Sequence, residues 1–141
     1  MDTVESLKFH AYHVLTDMLL TAFLDRLAEV SSRKVADLFM LTTATRVVQK
    51  LVSDSPDPVA KMREIISSYG CDVEMTQNGE LTDWSLTCPF ADSTHPNTPK
   101  ETMCPIALLF LGAVRLKEGE SEITMQNLTT DGAKFTIQHK R

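Results

Sequence analysis

From Val4 to Leu27 the apolar residues fall at Val4, Leu7, Ala11, Val14, Leu15, Met18, Leu19, Ala22, Phe23 and Leu27, the three-and-four spacing of one helical face. The pattern predicts a long first helix over Thr3 to Val30. Leu20 and Leu24 widen its apolar side beyond a single stripe, so the helix needs two partners: its own domain and a second copy of the chain. Ser31 and Ser32 interrupt the pattern and can cap a second helix, where Val35, Leu38, Phe39, Leu41, Val47, Val48 and Leu51 recur at helical spacing as far as Val52. A third helix is signposted at both ends. Asp57 stands as N-cap, Pro58 takes the first helical position, and Gly70 stops the chain after Val59, Met62, Ile65, Ile66 and Tyr69.

Beyond Gly70 the period falls to two, with Cys71, Val73 and Met75 alternating against Asp72, Glu74 and Thr76. This predicts a strand that turns at Asn78-Gly79 into a second strand over Glu80 to Thr87. A turn at 78–79 sets Val73 against Trp84, Met75 against Thr82 and Cys71 against Leu86, all on one face. Cys88 continues that face, which places Cys71 and Cys88 as diagonal neighbours, roughly 7–8 Å apart between Cα atoms. The apolar run Ile106 to Val114 is a fourth helix. Either Thr98 caps it, with Pro99 first and Glu101 closing a capping box, or Cys104 caps it with Pro105 first. The second start sets a thiol at the positive end of the helix dipole, which favours thiolate. A last hairpin follows, in which Ile123, Met125, Phe135 and Ile137 share a face only if the loop is odd. Thr130-Asp131-Gly132 is then a three-residue loop with Gly132 left-handed.

The order of elements describes an α+β fold, three N-terminal helices and then hairpin, apolar helix and hairpin, with the four strands forming an antiparallel sheet covered by helices. At 141 residues the chain is expected to be one domain. Residues 1–55 form its helical dimerisation or partner-binding part and residues 56–141 its α+β sensor-like part.

Composition narrows the function. With 43% hydrophobic and 23% charged residues, the chain is that of a soluble globular protein. A net charge of -5 and a pI near 5.3 argue against direct nucleic-acid binding, which draws on clustered Lys and Arg. The longest apolar run is far short of the about 20 residues that cross a bilayer. Three cysteines with no signal peptide ahead of them suit a reducing, cytoplasmic setting. The motifs of the familiar hydrolases, nucleotide-binding enzymes and zinc peptidases are missing.

The candidate chemistry lies in "LTCPFADSTHPNTPKETMCPIALLFLGAV", residues 86–114. Cys71, Cys88, His95 and Cys104 supply sulfurs and an imidazole, donors suited in type to zinc or an iron–sulfur cluster, although they are not in the close pairs that zinc sites use. Cys88, His95 and Cys104 are the candidate metal ligands. Trp84 and Phe90 are the candidate ligand-binding aromatics of a pocket between the sheet and the fourth helix. Two other readings stay open. Free cysteine behaves as a small hydrophobe and packs into cores, leaving the N-terminal helices to bind a partner. Alternatively, Cys104 is a nucleophile with His95 as its base. His10, His13 and Asp17 share a face of the first helix, a weaker metal signal.

The segment from about residue 60 to 137 resembles the C-terminal effector half of winged-helix transcriptional regulators of the ArsR/DeoR type, which include repressors of iron–sulfur-cluster biogenesis. The residues that carry the resemblance are Tyr69-Gly70, Cys88-Pro89-Phe90, His95-Pro96, Cys104 and Leu111-Gly112, followed by a final hairpin. The winged-helix half has no counterpart in residues 1–55. Ala133 and Lys134 stand where the family carries a further cysteine. The resemblance implies a stand-alone regulatory sensor or partner-binding module, with Cys88, Cys104 and His95 as the residues that carry over.

Overall fold

The computed structural model describes residues 15, 19–20, 22–68, 70–89, 91 and 104–139. Helix α1 covers 22–30, with residues 15, 19 and 20 also helical. It is followed by α2 (Arg33–Val52), α3 (Pro58–Ser68), strands β1 (Asp72–Asn78) and β2 (Leu81–Thr87), α4 (Pro105–Glu118), and strands β3 (Ser121–Leu128) and β4 (Gly132–His139). The helix boundaries follow their caps. Ser32 Oγ accepts from the Val35 N–H at 3.1 Å, and Asp57 Oδ1 accepts from the Ala60 N–H at 3.2 Å. Gly70 ends the α3 segment at φ +87, a conformation open to glycine. Asp57 also pairs with Lys117 Nζ at 3.3 Å, tying the start of α3 to the end of α4. The backbone bond from Ala60, followed by Lys117, holds the Asp57 carboxyl below its usual range.

The four strands form one antiparallel sheet in the order β1-β2-β4-β3. The expected α+β class, with a helix-covered antiparallel sheet, is the observed one. On its inner face stand Val73, Trp84, Leu86, Ala133, Phe135 and Ile137, all buried, while Glu74, Asp83 and Lys134 point the other way into water. Helix α4 lies on this inner face, and Trp84 meets both Phe110 and Phe135, at 5.2 and 5.7 Å between ring centroids. On its other side α4 approaches α2 so closely at Gly112 that a Cβ there would stand 3.0 Å from Val48 Cγ2. Ala107, Leu108, Phe110, Leu111, Ala113 and Val114 are all buried, so α4 has no solvent face through its middle.

Two expected registers are corrected. The first hairpin turns at Gly79-Glu80, so that Asn78 joins the strand opposite Leu81, Val73 faces Leu86 and Met75 faces Trp84. Gly79 at φ +66 takes the first central position of the turn while Glu80 keeps a negative φ, which a turn of type II′ allows and type I′ does not. The shift preserves the inner and outer faces but changes who opposes whom. In the second hairpin Gly132 is neither left-handed nor in the loop. It opens β4 opposite Thr87, where a Cβ would run into the Leu86 carbonyl oxygen. Glycine is needed there for backbone approach, and the loop is 129–131, closed by the Thr129 N–H on the Gly132 carbonyl at 2.9 Å.

The expected pairing of Ile123 and Met125 on one face also fails. A bulge at Thr124 lets Ile123 face Ile137 while Met125 pairs with Thr136, which sends Met125 outward at 63% exposure. Gln126 rotates inward in its place, opposite Phe135.

Gly132→Ala is expected to lower stability by about 3 kcal/mol or more, since neither backbone can move without breaking the β2–β4 ladder. Urea unfolding of the variant beside the parent chain measures it.

Candidate functional site

The end of the sheet where β1 begins and β2 finishes gathers three thiols from three distant parts of the chain. Asp72 opposite Thr87 closes the β1–β2 ladder, so the next residues outward on the two strands are Cys71 and Cys88, facing each other. This is the consequence of the corrected register: direct neighbours rather than the diagonal ones expected from a turn at 78–79. Each backbone is anchored. The Cys71 N–H donates to the Ile66 carbonyl at 3.4 Å and the Cys88 N–H to the Asp131 carbonyl at 2.7 Å. One step further out the chains still touch, since a Cβ on Gly70 would meet Pro89 Cγ at 3.5 Å.

Cys104 arrives from the other layer. Of the two helix starts open in the sequence, the structure takes the second: α4 begins at Pro105 with Cys104 as its N-cap residue. The Cys104 side chain makes no capping bond, and its carbonyl accepts the first helical bond from Leu108 at 3.1 Å. Its own N–H is met by Gln126 Oε1 at 2.9 Å. That bond depends on the Thr124 bulge, which turns Gln126 inward.

The three sulfurs act on one another. Hydrogen bonding to the Cys88 thiol, then burial, then repulsion from Cys88 and Cys104, hold the Cys71 thiol far above the ordinary range. Cys71 is therefore a protonated thiol at neutral pH. Cys71 and Cys104 are buried, Cys88 is half-buried, and no disulfide joins any of them.

Of the residues singled out in the sequence, Cys88 and Cys104 each lie near enough to Cys71 to act on it. Cys71, which carried less weight there, joins them. Phe90 and His95 lie outside the described residues, as do His10, His13 and Asp17. Among the described residues no group of three or more His, Cys, Asp or Glu is arranged to hold a metal ion. The thiols are thus gathered without forming a finished zinc or cluster cage. Trp84 is a core residue, 4% exposed, stacked on Phe135 and donating its indole N–H to Thr82 Oγ1 at 2.9 Å. Thr82 in turn reaches the Ile137 carbonyl at 3.4 Å.

A second polar grouping was not legible in the sequence. At the opposite end of α4, His139 Nδ1 lies 2.9 Å from Glu118 Oε2 and 3.4 Å from Ser121 Oγ. It resembles a catalytic triad in composition only. Serine and carboxylate meet the same ring nitrogen, whereas a proton relay needs one on each, and Ser121 is fully buried. With Arg115 Nε donating to the Ser121 carbonyl at 2.8 Å, the group clasps α4 to the start of β3 and the end of β4.

No family model, curated protein or solved structure matches the chain.

Gln126→Leu is expected to lower stability by about 1–2 kcal/mol, because it strands the Cys104 N–H at a part-buried helix start. Gln126→Glu keeps an acceptor at the positive end of α4 and should retain most of that stability. Chemical denaturation of both variants separates the lost acceptor from a general effect of substitution.

Proposed function

We propose that the chain is a stand-alone regulatory binding protein of the cytoplasm, a homodimer that takes a thiophilic ligand at the three-cysteine end of its sheet. The observation that carries this reading is the convergence of Cys71, Cys88 and Cys104. Cys71 and Cys88 face each other where the strand pair ends, and Cys104 at the start of α4 lies near enough to act on Cys71. Sulfur is a soft donor, which selects soft metal ions and thiol-reactive small molecules over magnesium or calcium. Since the thiols do not form a finished cage, the ligand is one that completes its own coordination, and no chemistry is routed through a resident metal.

Cadmium serves as a probe of such a site. Titrated into reduced, metal-free protein, it is expected to give the ultraviolet thiolate-to-metal absorption, saturating near one ion per chain. Cys88→Ser with Cys104→Ser should abolish the band while leaving the circular dichroism unchanged. An unchanged band in the double variant, or no band in the parent chain, would rule out the site.

The homodimer reading rests on the outer face of α1 and α2. Leu15, Leu19, Phe23 and Val30 are exposed along one side of α1, and Val35, Leu38 and Phe39 on the adjoining side of α2. Phe23 and Phe39 join the two sets, 5.8 Å apart between ring centroids. Seven exposed apolar side chains on adjoining helices form a patch rather than the scattered single ones of an ordinary surface. The ion pairs Asp25–Arg33 and Arg26–Glu29 accompany this face with charge of both signs. A patch both apolar and charge-balanced suits a second copy of an otherwise acidic chain.

Sedimentation equilibrium is expected to return twice the chain mass, and Phe23→Glu with Phe39→Glu should return a folded monomer. A parent chain that sediments as a monomer at micromolar concentration would exclude the homodimer.

A further inference from the structure

We propose that Cys71 and Cys88 are a peroxide-responsive pair that closes to a reversible disulfide across the ends of β1 and β2. The disulfide stands on the geometry of the strand ends. That it gates the site rests on the thiophilic-ligand reading, since it would remove two of the three sulfurs.

The two residues are bracketed on both sides. Inward, Asp72 faces Thr87 in the ladder, and outward, Gly70 lies against Pro89. Directly opposed residues of antiparallel strands have Cα atoms about 4.5–5.5 Å apart, within the about 4.4–6.8 Å that a disulfide spans. The backbone bonds from Cys71 to Ile66 and from Cys88 to Asp131 keep both ends in place. Cys71 and Cys88 lie two residues beyond Val73 and Leu86 on their strands, so both side chains leave the sheet on its inner face. Closing the bridge therefore needs side-chain rotation and little movement of the backbone.

The two thiols divide the work by exposure. Cys71 is 4% exposed, while Cys88 is half-buried and can be reached from solvent. Oxidation begins at Cys88. Its thiolate sulfur attacks one oxygen of hydrogen peroxide, the O–O bond breaks, and the departing hydroxide takes up a proton as water, leaving a sulfenic acid. Cys71 gives up its proton and its sulfur attacks the Cys88 sulfur. The S–OH bond breaks, and the hydroxide leaves with that proton as a second water. Two thiols are oxidised by two electrons and one peroxide is reduced to two waters. A small dithiol reverses the step by thiol–disulfide exchange. Cys104, at the start of α4, is left as a thiol.

The test uses the full chain, reduced and metal-free. It is treated with one equivalent of hydrogen peroxide, denatured, alkylated with iodoacetamide and mapped as peptides without reduction. The expected product links the Cys71 and Cys88 peptides with the loss of two hydrogens, carries the alkyl group on Cys104, and returns to three alkylated thiols after dithiothreitol. Cys104→Ser should form the same link, which guards against a variant that merely misfolds. Cys71→Ser should leave Cys88 as a sulfenic acid trapped by dimedone. A link from Cys88 to Cys104, or Cys88 driven to sulfinic acid while Cys71 remains alkylated, would overturn the proposal. The cadmium band separates the two readings. If the link forms and the reduced protein never binds cadmium, the disulfide stands and the ligand reading falls. If cadmium binds and no link forms, the disulfide falls and the ligand reading stands.

Discussion

Helix α4 has no polar side through its middle, and that constraint organises the molecule. A helix apolar all round must be covered on every face. Each fully buried Leu, Phe or Val gains about 1.5–3 kcal/mol over exposure, so Leu108, Phe110, Leu111 and Val114 together rival the about 5–15 kcal/mol by which a domain is stable at all. The sheet supplies one cover through Trp84 and Phe135. Helices α2 and α3 supply the other, with Gly112 admitting Val48 at close range. The caps at Ser32 and Asp57 and the bulge at Thr124 can each be seen as aligning a neighbour to this buried rod.

The thiol cluster follows from where the rod begins. Pro105 can open a helix but cannot sit inside one without loss of a hydrogen bond, so Cys104 stands at the layer boundary, on the inner side of the sheet. Burial of Phe110 against Trp84 brings that start toward the strand ends, where Cys71 and Cys88 already face each other. The helix start is then satisfied by a side chain from the far strand, Gln126, whose inward direction depends on one extra residue at Thr124. A site made in this way depends on packing at a distance. Gly132, which lets β4 lie against Leu86 and Thr87, belongs to the same support, because the loop it closes offers the Asp131 carbonyl to Cys88.

Much of the fold was legible because its determinants are local. The caps at Ser32 and Asp57, the proline at 58 and the stop at Gly70 act within a turn of helix, and the change of period after Gly70 marks the first strand. The site was less legible. Cys88 and Cys104 stood out through their prolines, whereas Cys71 read as one alternating apolar residue among several. Trp84 was a candidate binding residue of a pocket between the sheet and the fourth helix. Only the stacking on Phe135 and the bond to Thr82 make it part of the core.

By itself, the sequence determined the class of the fold, the order of its elements, the inner and outer faces of the first hairpin and the acidic, unrepetitive character of the chain. These rest on hydrophobic period and on capping, which residues close in the chain decide. Tertiary structure alone decided the register of both hairpins, the choice of Cys104 as the start of α4 and the meeting of three cysteines. A one-residue slip of a turn or an inserted residue in a strand changes little in local energy, since each alternative keeps its backbone bonds. What separates them is whether Phe110, Trp84 and Phe135 can close over one another, and that depends on residues far apart in the chain.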